Sequence, residues 1–327
     1  MGCLTVIGCL CFSYHRPSGR AQGPAPASKI VATVGAGPCA RPENNSMLQQ
    51  TREEGHNRSP QRREQPAIVI AAFGSTKRGK AVFSRFHHKV INRFGDHDVY
   101  WAYTSKKIRR KTGDTGLHET LVRLQQSGYK SCVILPLQVF PGTEYQRIRD
   151  TAVNFQGLNI AIGETLLHRW NFVGDVLTVM EKDFLLPGEG VNLLALHGTP
   201  KTADPVNDVY LGLEKLVKEK YENVQAAALE GVPDHKTVIA RIGRELSAEG
   251  HRRVRILPML LVAGMHVEND LMGSGDSWKN RLERYGFTVE CPRVEYSGES
   301  YFQSLFSYPE VEGFYLQRLE RGLQLVT

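Results

Sequence analysis

SGYKSCVILPLQVFPGTEY (Ser127–Tyr145) returns later in the chain as EGHRRVRILPMLLVAGMHV (Glu249–Val267). The two stretches align without a gap, placing Gly128 on Gly250, Ile-Leu-Pro on Ile-Leu-Pro and Gly142 on Gly264. Upstream of each lies a second matching pair, AIVIAAFGST (Ala67–Thr76) and VNLLALHGTP (Val191–Pro200). Two pairs at nearly the same separation predict an internal duplication. The apolar runs are continuous rather than alternating, which suits parallel strands covered on both faces. Strands are expected near 67–72, 98–103, 131–137 and 158–162, and again near 191–196, 223–228, 253–259 and 287–291. Helical patterns such as DVYLGLEKLVKEKY and HKTVIARIGRELSAEG fall between them. The expected fold is α/β, with two similar lobes, each a parallel sheet flanked by helices, and a cleft between the lobes. The domain reading is a non-structural extension over residues 1–65, one lobe over 66–188 and a second over 189–327. The linker LLPGEG (Leu185–Gly190) marks the boundary.

The extension is rich in Gly, Pro, Arg, Gln and Asn, which reads as disorder. It carries eight Lys or Arg and four Glu, about half of the chain's formal net charge of +7. The remaining charge is too small to argue for a nucleic-acid groove, though it would suit a polyanionic small molecule. MGCLTVIGCLCF is apolar but has no basic start, so it makes a poor secretory signal. We expect a cytoplasmic protein, or a periplasmic one if the extension is an export leader; the other readings of it are a tail or an upstream start, with Met47 as the true beginning. No stretch is long enough to span a membrane. Four of the six cysteines lie in the extension, leaving Cys132 and Cys291 as packed thiols rather than a disulfide framework or zinc site.

In a parallel α/β sheet all strands end on one edge, and ligands bind beyond it. Three residues of the second half fall there: His197 after NLLAL, Glu230 after VQAAAL and His266 after RILPMLLVAG. Two imidazoles and a carboxylate from three strand ends suit a borderline divalent ion such as Co, Ni, Fe or Zn. Each has a plainer reading, since an isolated histidine after a strand is commonly a hydrogen-bonded turn residue, and Glu230 before Gly231 could begin a turn. The duplication sharpens the point, because Phe73 and Glu144 stand where the second copy has His197 and His266. One copy has imidazoles and the other does not, as a single asymmetric site requires. Tyr103, Lys106 and Lys201 lie near strand ends and are candidates for the cleft rim. SKKIRRK (Ser105–Lys111) reads either as a carboxylate-receiving face or as a solvated helix. Asp276 or Ser277 is placed to cap a helix; Trp278 is expected in the core. There is no P-loop, dinucleotide-binding glycine turn or nucleophile elbow.

AAFGST, WAYTSKKIRRK, LPLQVFPGTEY, LHGTP, LEGVPD and LLVAGMHVENDLMGSGDSW occur in the order found in anaerobic-pathway sirohydrochlorin cobaltochelatases. The chain resembles these single-chain class II chelatases from about Ala67 to its end. The resemblance implies a chelatase-like fold of two α/β lobes around a tetrapyrrole cleft, and insertion of Co²⁺ into sirohydrochlorin for cobalamin synthesis. It implies that His197, Glu230 and His266 bind the metal, with a divalent ion as substrate and no organic cofactor. Some periplasmic members ligate haem through a histidine in the loop where this chain has Gln138. The alternatives are a chelatase for Ni²⁺ or Fe²⁺, a non-catalytic tetrapyrrole or metal carrier, and a zinc hydrolase. The expected partner is the small-molecule tetrapyrrole, without nucleic acid; a homo-oligomer is left open.

Overall fold

A computed structural model describes residues 64–74, 77–246, 250, 252–296 and 298–326. All but the last two residues of the expected extension lie outside them. In the first half, β1 (Ala67–Ala72), β2 (Val99–Tyr103), β3 (Ser131–Pro136) and β4 (Asn159–Ile162) form a wholly parallel sheet in the order β2-β1-β3-β4. In the second, β5 (Val191–Gly198), β6 (Val224–Glu230), β7 (Arg253–Pro258) and β8 (Thr288–Glu290) repeat that order as β6-β5-β7-β8, again all parallel. The duplication read from two sequence pairs is thus a duplication of sheet topology.

Helices fill the crossovers. The first half has α1 (Lys77–Arg93), α2 (Lys106–Thr112), α3 (Leu117–Gln126), α4 (Thr143–Val153) and α5 (Trp170–Met180). The second has α6 (Val206–Lys220), α7 (His235–Arg241), α8 (Trp278–Glu283) and α9 (Pro309–Gln324). The helix expected over HKTVIARIGRELSAEG is α7 followed by a π-helical turn at Ile242–Leu246. An antiparallel hairpin, β9 (Arg293–Tyr296) with β10 (Glu299–Phe302), was not among the expected elements.

Successive side chains of a strand point to opposite faces, and here the two faces feed different cores. Ile68 and Ile70 of β1 join Leu194 and Leu196 of β5 in one cluster shared by both sheets. Val69 and Ala71 pack outward with Leu121 and Ile148, and Leu193 and Ala195 pack outward with Ile239 and Trp278. Both faces of each sheet are therefore covered, which explains the unbroken apolar runs.

The last helix leaves the second half and packs on β3, β4 and α5 of the first. The approach is close: a Cβ on Gly322 would sit 2.6 Å from Val133 Cγ1. Along the same helix Glu312 is fully buried, accepting from Arg85 Nε at 3.0 Å and Nη2 at 2.7 Å and pairing with Lys89. Tyr315 donates to the carbonyl of Gln138 at 3.0 Å. We expect Glu312→Ala to lower unfolding stability by about 1.5–3 kcal/mol, the range for hydrogen bonds to a charged group. Denaturant unfolding followed by circular dichroism measures it; an unchanged midpoint would show that Arg85 and Lys89 lose nothing by turning to water.

Candidate metal centre

The order of the second sheet reverses between β5 and β7, because the chain passes from β5 to β6 on one side and then to β7 on the other. Crevices at such points lie beyond the carboxyl ends of the strands and are where α/β sheets bind ligands. His197 is the penultimate residue of β5 and Glu230 the last of β6. His266 is reached differently from the expectation. Strand β7 stops at Pro258, and residues 259–264 form an irregular loop before the chain turns helical at Met265 and His266 opens a π-helical turn, His266–Leu271. The reason lies in the hydrogen bonds after Pro258. Met259 N still donates to Ala195 O at 2.9 Å, but the carbonyls of Leu260 and Leu261 are taken by Leu305 N and Phe306 N, at 2.9 and 3.0 Å. The segment leading into α9 thus holds the loop that carries His266.

The two imidazoles meet edge to face, with ring centroids 5.0 Å apart and planes at 83°. Nδ1 of His197 lies 3.1 Å from the carbonyl of Gly198, which can only accept. Nδ1 of His266 lies 2.7 Å from Asp270 Oδ2. Each ring therefore carries its proton on Nδ1 in the neutral form, leaving the Nε2 lone pair for a metal or a proton.

Glu230 stands beside them on the neighbouring strand end, with its Cα in register with Gly198 and its carbonyl accepting from Thr199 N at 2.9 Å. Its carboxylate is exposed. Among the described residues, no three His, Cys, Asp or Glu side chains are drawn together closely enough to hold an ion. The fold brings the histidine pair together and leaves the carboxylate adjacent. The backbone here is tight. Gly198 has φ +76° and a Cβ on it would lie 1.8 Å from Glu230 O; Gly231 has φ +78° and its Cβ would lie 2.2 Å from Thr199 O.

The surroundings support this edge. His235, just after the Asp234 cap of α7, points Nδ1 at Ala228 O (3.2 Å) and stacks on buried Trp278 at 5.4 Å and 17°. Burial first, then Arg281, holds its pKa below the usual imidazole value. Ser277 caps α8, accepting from Asn280 N at 3.2 Å. Lys201 and Lys106 are exposed, as cleft-rim residues need to be. Tyr103 departs from that expectation. It is 8% exposed, stacked on Trp101 at 6.0 Å in the shared core, and burial pushes its hydroxyl pKa up. Cys132 and Cys291 are buried, with thiols pushed up by desolvation to about 12, so they are inert at neutral pH. A cavity of about 270 Å³ lies between α1, the loop at Val262 and Ala263, and the β9–β10 hairpin. The pairing of Asp270 with His266 was missed from the sequence, although an i, i+4 separation on a helical turn is a readable signal.

Paired imidazoles at the switch point of a duplicated two-sheet α/β body are donors of a type suited to a borderline divalent ion beside a ligand crevice. The chain belongs to the cobalt chelatase (CbiK) family, whose sequence profile matches residues 66–324. Its activity class is that of a metal chelatase, a lyase-type enzyme with a divalent metal as substrate. It is similar to the sirohydrochlorin cobaltochelatase CbiKC of Nitratidesulfovibrio vulgaris (Hildenborough), at 29% identity over 67% of this chain and 80% of that one. It is also similar to the sirohydrochlorin cobaltochelatase of Salmonella typhimurium, at 26% identity over 70% of this chain and 85% of that one. Among solved structures, SirB from Bacillus subtilis with Fe³⁺ superposes with a TM-score of 0.56 at 15% identity, covering 79% of this chain and 96% of that one. The sirohydrochlorin chelatase SirB from Bacillus subtilis subspecies spizizenii, in complex with cobalt, gives 0.51 at 13%, covering 80% and 96%. At such identities the likeness establishes the fold. Among the described residues, no helix is long and apolar enough to cross a membrane.

Proposed function

We propose that this chelatase inserts Co²⁺ into sirohydrochlorin with release of two protons, in the anaerobic branch of cobalamin synthesis. The observation that carries this reading is the His197–His266 pair, in contact and with both Nδ1 atoms engaged, at the switch point of a sheet in a cobalt chelatase family member. Nε2 of each ring holds the partly dehydrated ion, and Glu230, one strand away, turns its carboxylate inward as the third ligand. Three protein ligands leave coordination positions for the ring nitrogens. As the metal passes to the ring, the freed Nε2 lone pair of His197 accepts one pyrrole proton, and the other leaves to water at this exposed edge. Lys106 and Lys201 face the substrate's carboxylates at the rim. The reading requires no organic cofactor. It keeps the boundary near residue 188 between the duplicated halves and places the protein in the cytoplasm, with export to the periplasm as the alternative if residues 1–65 act as a leader.

The test is the absorbance spectrum of sirohydrochlorin mixed with catalytic amounts of the protein and Co²⁺, Ni²⁺ or Fe²⁺ in turn. Multiple turnovers with Co²⁺ are expected. A spectral change that stops at one equivalent of protein would mean a carrier, and faster turnover with Ni²⁺ or Fe²⁺ would reassign the metal.

A further inference from the structure

We infer that Asp270 is the positioning residue of this metal site, holding His266 so that its Nε2 faces the ion. The inference rests on the proposed assignment of His266 as a metal ligand. His266 begins a π-helical turn in which Met272 N donates to Val267 O, five residues back, after a tighter start where Val267 N and Glu268 N donate to Gly264 O. That wide turn keeps residues four apart on one face, and Asp270 Oδ2 reaches His266 Nδ1 at 2.7 Å. Both side chains are about half exposed, so beyond the edge-to-face contact with His197 it is the carboxylate that holds the ring's rotation. π-Helical turns are rare and concentrate at functional sites.

The partner also alters the ring. A carboxylate accepting from Nδ1–H fixes the tautomer and the ring's orientation, and losing such a partner typically lowers metal affinity or activity about 10–100-fold. His197 has only the neutral carbonyl of Gly198 at 3.1 Å in that role. The two imidazoles are therefore held differently, His266 by a side chain and His197 by the backbone.

The experiment compares full-length Asp270→Ala, Asp270→Asn and His266→Ala, with the Co²⁺ and sirohydrochlorin dependences of insertion measured separately and Co²⁺ binding titrated by calorimetry. Asp270→Ala is expected to raise the KM for Co²⁺ and weaken Co²⁺ binding about 10–100-fold, leaving the KM for sirohydrochlorin unchanged. Asp270→Asn, which keeps an accepting oxygen, should recover most of the loss. Wild-type Co²⁺ dependence in Asp270→Ala beside an inactive His266→Ala would overturn the positioning role alone. An Asn variant as weak as the Ala variant would also overturn it, pointing to direct ligation by the carboxylate. Full activity in His266→Ala would overturn the metal-site assignment and this inference with it.

Discussion

His197→Ala and His266→Ala each reduce Co²⁺ insertion into sirohydrochlorin by at least about 10²–10⁴-fold, the range lost with a general base, while the protein stays folded. Both rings lie at the sheet edge, exposed and outside the three apolar cores, so truncating either leaves no cavity among packed side chains. Their Nε2 atoms are the groups the structure leaves uncommitted, so the loss falls on metal holding and proton transfer. The check is turnover by absorbance beside thermal unfolding of the same preparations. Full activity in both folded variants would remove the metal-site assignment.

The second large effect is expected from the backbone between the ligands. Gly198→Ala and Gly231→Ala should each cost at least about 1–2 kcal/mol for placing a side chain in the left-handed region, and more because the strand ends must part. A Cβ at either position would enter the space of a carbonyl oxygen, that of Glu230 or Thr199 respectively. These are the carbonyl of one proposed ligand and of a residue two positions after the other. Moving the ends of β5 and β6 apart shifts His197 against Glu230, and a misplacement of about 1 Å can cost about 10²-fold in rate. Unfolding midpoint and turnover should fall together in both variants. A Gly198→Ala protein with parental stability and activity would show that the strand ends are looser than the contacts require.

Much of this architecture is legible in the chain. AIVIAA (Ala67–Ala72) and LLAL (Leu193–Leu196) are apolar at every position because each strand feeds two cores, and that unbroken pattern announces a covered parallel sheet. Other features lack a local signal. Tyr103 ends a strand at the edge where ligands bind, yet its ring turns inward onto Trp101 and into the core shared with residues far along the chain, such as Phe140 and Leu166; which way it turns depends on those distant neighbours. The end of β7 is hidden within an apolar run, because Met259, Leu260 and Leu261 remain buried or half-buried after the strand pairing has ceased. Glu312 gives no hint of burial, since its cations come from α1, more than two hundred residues away.

The sequence by itself determined the duplicated parallel sheets, the ends of β5 and β6 and the two imidazoles present in only one copy. These follow from residue periodicity and from the rule that parallel strands finish on one edge. Only the tertiary structure decided that His266 rides a π-helical turn beside Asp270, that the two imidazoles touch while Glu230 waits alongside, and that the last helix returns to the first sheet. Those outcomes depend on which distant backbone groups satisfy the carbonyls after Pro258, a competition among partners that no local pattern records.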